Sequence, residues 1–121
     1  MSSTIALGLV FLVALIQAAI AAVEVFLWNI PRVHSRLDFN DADANKVAPI
    51  VANAGLYNSF LAAGLIWGLF SKVCGPQIDV FFLTCVGIAG VFGAMTLKPT
   101  TLLLQTLPGA LALGAVWIAW F

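Results

Sequence analysis

An all-α integral membrane protein, a four-helix bundle running antiparallel, up-down-up-down, is the architecture to expect from this sequence on three grounds. Of 121 residues, 63% are hydrophobic and 8% charged, with a mean hydropathy of +1.10, whereas soluble globular domains carry about a quarter charged residues. Charges and turn formers split the chain into four continuously apolar blocks, each of about 20 residues or more, enough to cross ~30 Å of hydrocarbon as a helix. Two of the three joins are short, which forces neighbouring helices antiparallel.

In the first block, residues 4–28, Ala21 and Ala22 follow a long apolar run, as at the cleavage site of a secretory leader. No Lys or Arg precedes it, however, and the run is longer than a leader core, so it reads as a retained span. Residues 29–45 gather Arg32, Arg36, Asp38, Asp41 and Asp43 with Pro31 and His34, and are expected to be a solvated loop. The second block, 47–70, carries Gly64 and Gly68 on one helical stripe. Span one matches it with Ala14, Ala18 and Ala22, and span three with Gly90 and Ala94. Four-residue spacing of small side chains lets helix backbones approach. Spans three and four cover 78–97 and 101–121. Within the last, Pro108 withholds a donor from the Leu104 carbonyl, which predicts a kink. Membrane barrels show ~10-residue alternating segments, unlike these continuous runs. The whole of 1–121 is expected to form one transmembrane domain.

Arg32, Arg36, Lys46 and Lys98 fall on one side of this arrangement and Lys72 alone on the other. The positive-inside rule then places the 29–45 loop in the cytoplasm and both termini outside, in what is read as the bacterial inner membrane. Trp28, Trp67, Trp117 and Trp120 lie near span ends, where indole favours the interface. Five Lys and Arg balance five Asp and Glu, so no basic face exists for nucleic acid. Cys74 and Cys85 are too few for a disulfide framework and form no ligand cluster with His34, so neither a metal nor a cofactor is expected. No span contains His, which also argues against haem.

Glu24 is the one ionisable residue well inside a predicted span. An ionised carboxylate is costly there, so it should face the interior with partners or keep its proton. At ~1.5 Å per residue from the four-cation side, Glu24, Asn53 and Gln105 share a depth of roughly 5 to 10 Å. Gln17 lies two turns before Glu24, and Tyr57 one turn after Asn53, so both faces extend inward together. The expected arrangement is a polar pocket lined by Gln17, Glu24, Asn53, Tyr57 and Gln105 and opening toward the long loop, with Asn58 turned about 100° away at its flank. Taken singly, Gln17, Asn58 and Gln105 could equally be packing amides. Thr96 and Thr106 are expected to bond their own helix backbone. His34 is expected to be solvated, and Cys85 to be a small apolar filler.

The run Asn53-Ala54-Gly55-Leu56-Tyr57-Asn58, with Glu24-Val25-Phe26-Leu27-Trp28, the Gly-Ala-Met-Thr stretch at 93–96 and Gln105-Thr106-Leu107-Pro108, resembles the small four-span membrane proteins of the domain of unknown function 1304 family. The resemblance runs over nearly the whole chain. The family pattern usually has Gln at Ala54 and Gly at Ser59, and often His at Gln17. It implies fold and topology, with Glu24, Asn53, Tyr57 and Asn58 as matching motif positions, and it implies no particular activity.

On function, the expectation is an intramembrane site that binds a small lipophilic molecule and transforms it by acid/base chemistry. Glu24 and Tyr57 are the candidate catalytic groups, and Gln17, Asn53, Asn58 and Gln105 the candidate ligand-binding groups. Two alternatives stand beside it. One is a proton-coupled small-molecule transporter acting as a homodimer, by analogy with other small four-span proteins that carry one essential glutamate. The other is a packing or assembly subunit without a ligand.

Overall fold

The computed structural model describes residues 2–121. Four long helices account for most of them: α1 (Ser2–Leu27), then, after the short α2 (Pro31–His34), α3 (Asp41–Phe70), α4 (Gly75–Thr96) and α5 (Leu102–Trp120). Each of the four is long and apolar enough to cross a membrane, and the chain is an integral membrane protein. Among the described residues there is no β-strand.

Neighbours in the bundle follow the ring α1, α3, α4, α5 and back to α1. Close approaches at glycine show how each pair runs. A Cβ on Gly55 would meet Ala21, Glu24 and Val25 of α1, while Leu65, farther along α3, joins the same core cluster as Ala6, Val10 and Val13. Gly64 faces Phe82 and Gly68 faces Asp79 across α3 and α4. Gly93 faces Thr101, Gly90 faces Thr106 and Gly109 faces Val86 across α4 and α5. Across α3 and α4, and across α4 and α5, residue numbers rise along one helix as they fall along its neighbour.

The core is built of modest side chains: Ala6, Val10, Val13 and Ala14 from α1, Leu65 from α3, Leu83 and Val86 from α4, and Ala112 and Val116 from α5. Larger residues such as Phe11, Phe60, Phe92, Leu103 and Ile118 point outward. That distribution suits a hydrocarbon solvent, where backbones gain from close contact and bulky apolar groups lose nothing by facing lipid. The stripe expected on α1 is displaced: Ala14 is buried, but Ala18 and Ala22 are exposed, and the inward row runs Ala6, Val10, Val13, Gln17, Ala21.

The long connection is more structured than a solvated loop. It holds α2 and a single 3₁₀ turn, Ser35–Leu37, closed by Asp38 in the left-handed region at φ 64°. α3 starts at Asp41 and not near residue 47, because the Asn40 side chain caps it by accepting from the Asp43 amide at 2.8 Å. Asp41 and Asp43 also place negative charge at the positive end of the helix dipole. Lys98 pairs with Asp38 at 3.0 Å, which brings the α4–α5 join to the same end of the bundle as the long connection.

Two helices carry a π-helical stretch near that end, Val23–Leu27 in α1 and Leu102–Thr106 in α5. The second lies just before Pro108. The break expected from proline is thus taken up as one widened turn, a common way to absorb a missing i to i−4 bond.

Candidate functional site

The inward stripe of α3 runs through Gly55, Asn58, Ala62 and Leu65, spaced three and four apart. Gly55 is what lets α1 close in: an added Cβ there would lie 2.7 Å from Val25 Cγ2 and 3.0 Å from Glu24 Cβ. One turn on, Asn58 Nδ2 donates to Glu24 Oε1 at 2.5 Å. The π turn containing Glu24 is part of the geometry, since such widened turns re-aim side chains and recur at functional sites. Both residues stay partly accessible.

This corrects the expected pocket. Asn58, assigned to the flank, is the direct partner of Glu24. Asn53 is exposed, and Tyr57 is 61% exposed, its ring packed edge-on against Phe60 at 5.8 Å between centroids. At about 100° per residue, Asn53 and Tyr57 fall off the stripe that Gly55 and Asn58 define. The five polar groups named from the sequence therefore do not line one hollow.

Gln17 and Gln105 do lie on inward stripes. Gln17 is 0% exposed, and neither its amide oxygen nor its amide nitrogen has a partner. Gln105 is half-buried against Gly90 of α4, and its Oε1 is likewise unpartnered. An unmet buried donor or acceptor costs on the order of 1–3 kcal/mol, so these two side chains are held in place against a penalty. Two apolar grooves open on other faces, one between α4 and α5 beside Val80, Leu113 and Trp117, the other between α3 and α4 beside Trp67, Ile78 and Phe82.

The sequence reading missed a second acid within the long apolar helices. Asp79 is 3% exposed, and its Oδ1 has no partner. It sits on the α4 stripe with Gly75, Leu83, Val86 and Gly90, so close to Gly68 that any Cβ there would overlap its carboxyl. α4 begins at Gly75-Pro76, with proline at the first turn, so Asp79 lies at the start of the second turn of the helix and not in the connection before it. Four-residue steps back from Leu83 to Asp79 and Gly75 were the available signal.

Thr96 bonds its own helix, to Phe92 O at 2.8 Å. Thr106 instead reaches across to Gly87 O at 3.1 Å, and Thr101 to Gly90 O at 2.8 Å. These two hydroxyls tie α5 and its entry to α4. Cys85 is a half-buried free thiol. Among the described residues, no group of three or more His, Cys, Asp or Glu side chains could hold a metal ion.

One turn beyond Glu24, the helix ends in a cap. Trp28, 4% exposed, donates its indole N–H to Ala44 O at 2.9 Å, joining the end of α1 to the first turn of α3. It is therefore a buried strut and not an interfacial anchor. Phe39 packs edge-on to its ring at 5.6 Å. His34, expected to be solvated, is 3% exposed. Its Nδ1 lies 2.9 Å from Trp28 O and its Nε2 2.9 Å from Asp41 Oδ1. The hydrogen bond to the Trp28 carbonyl raises the imidazole above its ordinary range, burial opposes it, and the Asp41 carboxylate adds to the rise.

Neither curated proteins nor solved structures give a match to this chain. A family model does match, over residues 11–117, which takes in all of α3 and α4, most of α1 and α5, the Glu24–Asn58 pair, the Trp28 cap and Asp79. The chain belongs to the family described as protein of unknown function (DUF1304).

Proposed function

We propose that the chain binds a small lipophilic molecule bearing a hydrogen-bonding group, at an intramembrane site around Glu24, with Glu24 the residue that would pass a proton to or from it. The observation that carries this reading is Gln17. It is wholly buried two turns below Glu24 on the inward face of α1, with both amide atoms unpartnered. A side chain placed only to fix packing would be expected to spend those groups on a neighbouring helix, as Asn58 does on Glu24. Partial exposure of Glu24 and Asn58 leaves an approach between α1 and α3 from the lipid side. In this reading the 29–45 region faces the bacterial cytoplasm, following the excess of Arg and Lys on that side.

The test is extraction and mass spectrometry of lipids that co-purify with the protein in nanodiscs, comparing wild type with Glu24→Gln and Gln17→Leu. The expected result is one enriched lipophilic species, reduced about tenfold or more in both variants, since losing a charge-assisted or buried hydrogen bond is worth roughly 1.5–3 kcal/mol. Equal lipid profiles in all three proteins would overturn the reading in favour of a packing role. pH-driven uptake in vesicles by a homodimer, abolished by Glu24→Gln without any retained species, would redirect it to transport.

A further inference from the structure

His34 touches two groups from two helices, and both can only accept. The Trp28 carbonyl, at the end of α1, takes a hydrogen bond from Nδ1–H, and the exposed Asp41 carboxylate, in the first turn of α3, takes one from Nε2–H. Both bonds are made at once only by the imidazolium, which carries a proton on each nitrogen. A neutral ring keeps one bond and turns a lone pair toward the other acceptor. Of the other charged groups on the elements around it, Asp38 pairs with Lys98 and Glu24 with Asn58, while Arg32 and Arg36 on its own segment and Asp43 and Lys46 at the start of α3 are exposed.

We propose that Trp28, His34 and Asp41 form a pH-sensitive latch across the α1–α3 end of the bundle, closed when His34 is doubly protonated and released on the α3 side when it loses a proton. The latch follows the Glu24–Asn58 pair closely in the chain, because Trp28, four residues after Glu24, caps the widened turn that carries it. Release frees Asp41, loosens the α2 segment from the start of α3, and leaves the Trp28–Ala44 bond as the remaining tie. The direction follows from the imidazole being held above its ordinary 6.5. The latch contributes fully below about pH 6.5 and is lost as pH rises through the folded-state value. Controlling access to Glu24 is a consequence that rests on the ligand-binding reading; the latch itself does not.

The chain has one histidine, so NMR of histidine-labelled protein in lipid nanodiscs reports His34 alone. The expected result is a titration midpoint above 6.5, with the Trp28 indole N–H signal, assigned through Trp28→Phe, moving at the same midpoint. Asp41→Asn should lower the midpoint, and His34→Gln should abolish the pH response of the indole. A midpoint at or below the ordinary value, or an indole signal unmoved while His34 titrates, overturns the latch. If His34→Gln does not fold, the wild-type and Asp41→Asn titrations decide alone. Glu24→Gln should leave the titration unchanged, so failure of the latch and failure of the Glu24 site are separately visible.

Discussion

Glu24 and Asp79 are both carboxyls inside apolar helices, toward opposite ends of the bundle, and they are accommodated in opposite ways. Glu24 sits on a widened turn of α1, opposite a glycine that lets α3 approach, and receives a donor from Asn58 at 2.5 Å. It keeps partial access to its surroundings. Asp79 lies on a regular stretch of α4, shut in by the Gly68 backbone, with its Oδ1 unpartnered. A membrane-buried acid is by default a functional candidate, but these two divide that default. The first has a hydrogen-bond partner and is partly exposed. The second occupies a helix crossing with no space beside it.

The largest effect expected from breaking this contrast is at Gly68. In Gly68→Ala the new Cβ would coincide with the Asp79 carboxyl, so α3 and α4 must separate at a cost of about 1–3 kcal/mol, read as a lower unfolding midpoint in detergent. Gly64→Ala meets only the outer atoms of the half-buried Phe82 ring, which can turn aside, and should cost less. If the two variants rank the other way, Asp79 is not wedged as described. A smaller effect is expected at the other carboxyl. A double-mutant cycle with Glu24→Ala and Asn58→Ala should give a coupling of about 0.6 kcal/mol and no more than ~1.7, the range for polar pairs between membrane helices. Zero coupling would mean that the pair does not hold α1 to α3. Smallest of all, Asn53→Ala and Tyr57→Phe should shift stability by within about 0.5 kcal/mol, as for outward positions. A larger loss in either would restore them to the interior.

Much of the architecture was legible because it depends on length and polarity. Four apolar runs with short joins between three of them leave few alternatives once backbone hydrogen bonds must be satisfied within each segment. Helical phase was not legible. In a soluble helix a polar face marks the outside, but here both faces are apolar, so Asn53 and Tyr57 looked as inward as Asn58. The phase signal was in the small residues: Gly55 shares a stripe with Asn58, and Gly64 and Gly68 lie on the side turned to α4. Asp79 was passed over because the span was taken to begin at residue 78, leaving Asp79 at its edge, when proline at a helix start puts the beginning at Gly75-Pro76. His34 and Trp28 were unreadable for a different reason. Their burial comes from contacts between residues 6 and 16 positions apart, which no local pattern announces.

Composition and segment length alone determined that this chain lives in a membrane as four helices, because the free energy of placing about 20 apolar residues in hydrocarbon does not depend on which neighbours they find. Which carboxyl gains a partner, which is walled in, and whether a loop histidine is wetted or clasped between two acceptors were decided only by tertiary structure. Those outcomes depend on helix rotation and on approach distances of a few tenths of an ångström. Glycine positions and turn geometry set such distances only once the helices are packed together.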